Sequence, residues 1–305
     1  MNRSAVASLA LLVVVGVAAF GSTVHARQRA TTPQQAVDEL LAVDRAFAAA
    51  SAKTTAIPGL TAMFAADVQM MLGPAGIAKG IAAATDALKG NPNNATGRVA
   101  WAPVRAGLSA DGLHGFTMGY TTLHKADGGT VPGKYMTYWV KGAEGWRAAA
   151  FKRAPRSEGT PTKMFLPPSL PAQLVEPRAV TQALKDEVVA VEKAFSDEAQ
   201  KIGLGPAFVK FGAADASNFG GPDNVDFVWG AEAISKVVEG PSPGKPAPGS
   251  PVSWSCETPI VASSGDLAVS IGYIKSNAPA EAARPPSPFF TIWRKVNGVW
   301  KYIAE

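Results

Sequence analysis

Two stretches of this 305-residue chain end alike, TYWVKGAEGWRAAAF at 137–151 and TIWRKVNGVWKYIAE at 291–305. An internal repeat limits the fold more than any composition does, because each copy has to bury its own apolar face. LLAVDRAFAAA at 40–50 matches VVAVEKAFSDE at 188–198, an offset of 188 − 40 = 148 that sets Asp44 on Glu192 and Phe47 on Phe195. Gly80 meets Gly230, Trp101 meets Trp254, and GFTMGYTT (115–122) meets AVSIGYIK (268–275). Tyr135, Thr137, Trp139 and Trp146 fall on Phe289, Thr291, Trp293 and Trp300. The offset drifts in the PSPGKPAPGS stretch, where Pro and Gly make insertion easy.

At 47% hydrophobic and 17% charged residues, the chain is rich enough in apolar side chains for two cores of ordinary domain size. The first segment, MNRSAVASLALLVVVGVAAFGSTVHARQ, has Arg3 in a short basic start, an apolar run from Leu9 to Phe20 and a small-residue cleavage pattern at Val24-His25-Ala26. It reads as a secretory signal cut after Ala26, since the run is shorter than the roughly 20 residues of a spanning helix. The expectation is an exported protein, periplasmic or secreted, with no membrane segment after cleavage. Cys256 is the sole cysteine, so no internal disulfide forms. Loss of Arg3 takes the formal charge from +5 to 5 − 1 = +4, and the basic residues are scattered, which gives nucleic acid no electrostatic footprint.

The expected organisation is a signal at 1–26, a first domain at 34–153, a Pro-rich linker at 154–179 and a second domain at 180–305. Within the linker, Met164-Phe165-Leu166 is the apolar run expected to dock on a domain. Each copy opens with a helix: Val37, Leu40, Leu41, Phe47 and Ala48 recur at helical spacing, as do Leu184, Val188, Val189 and Phe195. A short second helix has Pro58 or Pro206 in its first turn, and the remainder alternates with period two as antiparallel strands do. His114, Phe116, Met118 and Tyr120, with Leu267, Val269, Ile271 and Tyr273, form the apolar parity expected to face the helices. Tyr138, Phe290 and Ile292 are expected on the outer face, which then needs cover.

The series LLAVDRAFAAA, GLTAMFAADVQMM, KGIAAATDAL, GYTTL and YWVKGAEGW, with its counterparts in the second half, resembles the nuclear transport factor 2-like superfamily and its exported SnoaL-like branch. The resemblance implies an α+β chain of two cone-shaped domains, each with helices packed in a curved antiparallel sheet around an internal pocket. Domains of that superfamily often pair through the open sheet face, which implies self-association or an intramolecular pseudo-dimer of the two repeats. Its ketosteroid isomerases use a helix tyrosine and a strand aspartate. Phe47 and Phe195 stand at the tyrosine position, and the strand reads VQMMLGPAG in one copy and ASNFGGPDN, with Asp223 at or past the turn, in the other. An enolate needs both a base and a donor, so that chemistry is disfavoured.

The candidate pocket residues are Asp44, Trp101, His114 and Tyr120 in the first copy, and Glu192, Trp254 and Tyr273 in the second. Asp44 and Glu192 lie on or beside the apolar face of their helices. Each is either a base or ligand-orienting group with a raised pKa, or an acid that fixes helix to sheet. His114, whose counterpart is Leu267, is either a proton carrier of the first pocket or a rim histidine. Cys256 shares the parity of Trp254 and reads as a small buried hydrophobe. With three histidines, one of them in the signal, and one cysteine, no metal or other cofactor is expected. Asn94-Ala95-Thr96 is a glycosylation sequon with meaning only in a eukaryotic secretory pathway. The functional expectation is a protein that binds a small apolar or aromatic ligand in a cone pocket. An acid-base enzyme of isomerase, cyclase or hydrolase type using Asp44 with His114 or Tyr120, and a protein-interaction module, are the alternatives.

Overall fold

The computed structural model describes residues 32–162, 164–239, 249–278 and 284–305. The secretory-type segment at 1–26 therefore lies outside the described residues, as does most of the PSPGKPAPGS stretch. Among the described residues no helix is long and apolar enough to cross a membrane.

The fold is α+β, with the same order of principal elements in each half. The first runs α1 (Pro33–Ser51), α2 (Ala56–Thr61), β1 (Phe64–Met71), β2 (Ile77–Lys79), α3 (Ile81–Lys89), α4 (Pro92–Thr96), β3 (Arg98–Leu108), β4 (His114–His124), β5 (Thr130–Gly142) and β6 (Gly145–Pro155). The second runs α5 (Gln182–Ile202), α6 (Leu204–Phe211), β7 (Gly212–Asn218), β8 (Val228–Trp229), α7 (Ala231–Val238), β9 (Val252–Val261), β10 (Leu267–Ser276), β11 (Ser287–Val296) and β12 (Val299–Ala304). Each half contributes a six-stranded sheet, ordered β2-β1-β6-β5-β4-β3 and β8-β7-β12-β11-β10-β9. The sheets are not wholly antiparallel, since β1 pairs with β6, and β7 with β12, in parallel. KGIAAATDAL, within the stretch after the second helix expected to be all strand, supplies the helix α3.

Local chemistry sets the long helices. Thr32 caps α1 in a capping box with Gln35, and Thr181 accepts from Leu184 N at 3.3 Å to start α5. Pro58 and Pro206 sit in the first turns of α2 and α6, where a missing N–H costs no helix bond. Each long helix lies across the inner face of its sheet, and the Gly-Tyr pairs explain how the sheet bends to receive it. Gly119 and Gly272 stand beside irregularities in the β3–β4 and β9–β10 pairings, and a Cβ at either would collide with the carbonyl oxygen of Ala102 or Ser255.

The strand faces differ from the sequence expectation. Phe116, Met118 and Tyr120 turn away from α1 and form one buried layer with Val269, Ile271 and Phe290 of the other half. The parity that faces the helix is the small one: a Cβ on Gly115 would lie 2.6 Å from Leu40 Cδ2. Cross-strand neighbours share a face, and Phe116 is paired with Tyr138, so both had to lie on the same side. The apolar parity faces the second sheet because two sheets packed together bury large side chains between them, while a helix lying close to a strand leaves room for Gly, Thr and Ser.

Buried cations stitch the two halves. Arg105 on β3 donates to Ile303 O at 3.2 Å, to Asp215 Oδ2 at 2.7 Å, and to Ser217 Oγ and Asp215 O. Lys134 on β5 donates to the carbonyls of Phe219 and Asp226, each at 2.6 Å. In the reverse sense Arg294 on β11 donates to Leu108 O at 2.8 Å and Ser169 Oγ at 2.7 Å. The Pro-rich stretch follows β3 through Leu166 N to Val104 O and Ser169 N to Ala106 O. It is anchored by Leu170 and Leu174 rather than by Met164 and Phe165, which are exposed. Asn94 is buried and donates to Leu88 O at 2.8 Å, so the sequon asparagine is part of the fold.

Candidate functional site

Each long helix carries one fully buried acid into its sheet, and the two acids receive different surroundings. Asp44 on α1 accepts from Trp101 Nε1 of β3 at 2.6 Å and from the Tyr135 hydroxyl of β5 at 2.7 Å. Thr117, itself accepting from Trp139 Nε1 at 2.9 Å, turns towards the same carboxylate. Burial raises the Asp44 pKa from its ordinary value, and the hydrogen bonds offset part of that rise. Burial and the neighbouring acid push the Tyr135 phenol well above its usual value, so the tyrosine stays a donor. Phe47 stacks on Trp139 with centroids 6.1 Å apart, which closes the group.

Glu192 on α5 has a related set of donors, with Trp293 bonded to the acid directly where Trp139 bonds Thr117. Trp254 Nε1 donates to Oε1 at 2.6 Å, Trp293 Nε1 to Oε2 at 3.0 Å, and the Ser270 hydroxyl also to Oε2. Where the first half has Tyr135 the second has Phe289, which has no hydroxyl to donate. Burial pushes the Glu192 carboxyl up to about 7 against the effect of its three neutral donors.

Glu192 is nonetheless fully buried, with a donor on each carboxylate oxygen. A cavity of ≈ 180 Å³ lies in the second half, walled by Phe195, Phe208, Trp254 and Phe289, with Glu192 and Glu305 as its acidic groups. Phe195 organises the wall, with ring centroids 5.0 Å from Phe208 and 4.8 Å from Trp254. The first-half groove at Trp101 is instead an open trough along Arg45, Ala48 and Ala100 to Pro103.

The sequence candidates therefore separate. Asp44 is joined to Trp101, and Glu192 to Trp254. His114, Tyr120 and Tyr273 belong to neither group and lie at the seam between the halves. His114 Nδ1 is 3.2 Å from the Tyr138 hydroxyl, and burial lowers its pKa, partly offset by Asp111 and Asp266. Tyr120 donates to Asp226 Oδ1 at 2.6 Å, while the Tyr273 hydroxyl lies against Gly76 of the other half. The constellation of Asp44 with His114 or Tyr120 does not form, because a period-two strand sends those side chains to the opposite face of the sheet. Cys256 is half-buried rather than fully enclosed, and burial pushes its thiol up to about 12. Asp223 lies in the turn beyond β7. Among the described residues no group of three or more His, Cys, Asp and Glu is placed to hold a metal ion.

Sequence reasoning missed Tyr135, Ser270, Trp293 and Glu305 as members of these sites. Tyr135 and Trp293 were legible as repeat positions, since 289 − 135 and 293 − 139 share one offset, but their role needed the face assignment.

No family model matches the chain, and no curated protein matches it. Solved structures similar to part of it include an NTF2-like protein with a cystatin-like fold from Novosphingobium aromaticivorans, at 14% identity and TM-score 0.33, covering 40% of this chain and 82% of that one. A ketosteroid isomerase-like protein from Erwinia carotovora atroseptica is similar at 24% identity and TM-score 0.31, covering 40% of this chain and 99% of that one. An NTF2-like protein of unknown function from Pseudomonas putida is similar at 17% identity and TM-score 0.34, covering 41% and 91%.

Proposed function

We propose that this chain is an exported tandem of NTF2-like, SnoaL-like domains, at 34–153 and 180–305, whose second cone binds a small apolar or aromatic ligand. The observation that carries the reading is the ≈ 180 Å³ cavity with four aromatic walls and Glu192 as a polar handle. Small-molecule sites have this character, apolar walls with few polar groups. An apolar cavity of about 150 Å³ is enough to take a benzene ring. The first cone serves as architecture, its Asp44 held by Trp101 and Tyr135 beside an open trough rather than a walled cavity.

The two halves act as a pseudo-dimer within one chain. This is supported by the apolar layer they share and by the cross-donations of Arg105, Lys134 and Arg294. The export assignment rests on the order of basic start, apolar run and cleavage pattern at 1–26.

Calorimetric titration of the mature protein with toluene and with indole tests the ligand reading. Saturable binding of either, lost in Val238→Phe at the cavity wall, supports it. No binding of either, together with gently purified protein that carries no small molecule by native mass spectrometry, overturns it.

A further inference from the structure

Resting on the ligand reading just given, we infer that the natural ligand of the second-half cavity carries a protonated amine on its apolar or aromatic body, seated between Glu192 and Glu305. The first observation is positional. The pairs Tyr138 with Ala150 and Ile292 with Ala304 set the two terminal hairpins in the same register, which places Glu305 where the first half has Phe151. Phe151 is an ordinary core residue, 5.4 Å from the Phe64 ring. A carboxyl at the matching inward place loses its hydration and gains no packing.

The second observation is that the fold does not satisfy that carboxyl. Glu305 Oε2 is buried without a hydrogen-bond partner. Buried polar atoms are nearly always paired, so an unpaired carboxyl oxygen on a residue that lines the cavity calls for a donor that the chain does not supply. Glu192, on the same cavity, is held by donors that are all neutral: two indole N–H groups and a hydroxyl. Those donors orient a carboxylate but bring no positive charge to it.

The third observation concerns charge and walls. Lys152 on β6 bears on Glu305 through space, with its ammonium 4.6 Å from the Phe219 ring. Two acids against one ammonium leave the cavity short of one positive charge when both acids ionise. Phe195, Phe208, Trp254 and Phe289 are the type of wall that accepts an organic cation, through the negative faces of their rings. A neutral aromatic ligand would use those walls and leave the Glu305 carboxyl without a donor.

The protonation of the two acids agrees with this. Burial pushes Glu192 up to about 7, and burial with the nearby Glu192 pushes Glu305 up to about 8, Lys152 opposing. The other titratable groups that bear on them are Cys256 on β9 and Tyr302 on β12. A ligand ammonium takes the place of the protons that these acids otherwise retain.

Three probes of nearly one shape make the test: benzylamine, benzyl alcohol and toluene, titrated calorimetrically into the full chain at mildly alkaline pH. The expected result is that benzylamine binds at least about tenfold tighter than toluene. Glu305→Gln is expected to abolish that preference while toluene still binds. If that variant does not fold, Glu305→Phe, which restores the residue of the first half, replaces it. Toluene or benzyl alcohol binding as tightly as benzylamine overturns the amine inference and leaves the apolar-ligand reading standing. Failure of all three probes overturns the amine inference, and together with gently purified protein that carries no small molecule it overturns the ligand reading too. An amine preference that survives in both Glu192→Gln and Glu305→Gln places the cation elsewhere and also overturns the inference.

Discussion

The Tyr135 hydroxyl donates to Asp44 at 2.7 Å, and the second half has no counterpart of this bond, because Phe289 stands at the matching position. There Phe289 lines a cavity that Glu192 also borders, although Glu192 itself stays fully buried. The same helix-to-sheet acid thus serves as a tie in one half and as a handle in the other.

Tyr135→Phe removes a donor from a fully buried carboxyl. The expected cost is about 1–3 kcal/mol of stability, read from urea unfolding, because the acceptor cannot turn to water. The reverse exchange, Phe289→Tyr, adds a hydroxyl beside Glu192 and is expected to weaken toluene binding with little loss of stability. An unchanged toluene affinity would separate Phe289 from the cavity.

Stability is expected to fall as pH rises through the range set by Glu192. The native state holds this proton more tightly than the unfolded chain, with the pKa raised from 4.5 to about 7. A raised carboxyl pKa gives stability that is greatest below the unfolded value and is lost as the pH climbs to the folded one. The loss is on the order of 3 kcal/mol for a shift of this size, and Glu305 extends it to about 8. Glu192→Gln is expected to flatten the profile between those limits. Unfolding free energies of both proteins across that range check the sign.

Arg105 and its ion-pair partner Asp215 are expected to respond very unequally. The Arg105 side chain is 2% exposed and the Asp215 side chain 70%. Asp215→Ala removes a solvated partner and costs at most about 1 kcal/mol. Arg105→Ala strips Ser217 Oγ and two backbone carbonyls of their buried donor and opens the layer between the halves, so a loss of about 3–5 kcal/mol is expected. Paired denaturation curves that gave equal losses would deny Arg105 its place in the seam.

Gly272→Val forces a Cβ against the carbonyl of Ser255 where β9 and β10 bend. A loss of about 1–3 kcal/mol is expected. Gly142→Ala, at the end of β5 with open space around it, is expected to stay within about 0.5 kcal/mol. Thermal unfolding of the two variants side by side distinguishes crowding from a general intolerance of glycine replacement.

Much of the architecture was legible because it is written in local terms. The offset between Asp44 and Glu192, the helical spacing around each, and the Trp-bearing hairpins at Trp139 and Trp293 all follow from neighbours along the chain. The faces were not. Period-two alternation shows that Phe116 and Met118 lie together but not which side they take, and here the side belongs to the other sheet. For the same reason His114 and Tyr120 read as partners of Asp44 and are not.

The sequence by itself determined two α+β copies, an acid on the first helix of each, and the strand order's raw material, since propensity, periodicity and turn chemistry act between residues a few places apart. Only tertiary structure decided which acid faces a cavity. Whether Asp44 meets the Tyr135 hydroxyl, and whether Glu192 borders a cavity with Phe289, depends on side chains 91 and 97 positions away, as 135 − 44 and 289 − 192 give, brought together by packing. The fate of Glu305 was hidden for the same reason: a terminal-strand glutamate is ordinary in a sequence, and its unpaired burial exists only once the sheet has closed around it.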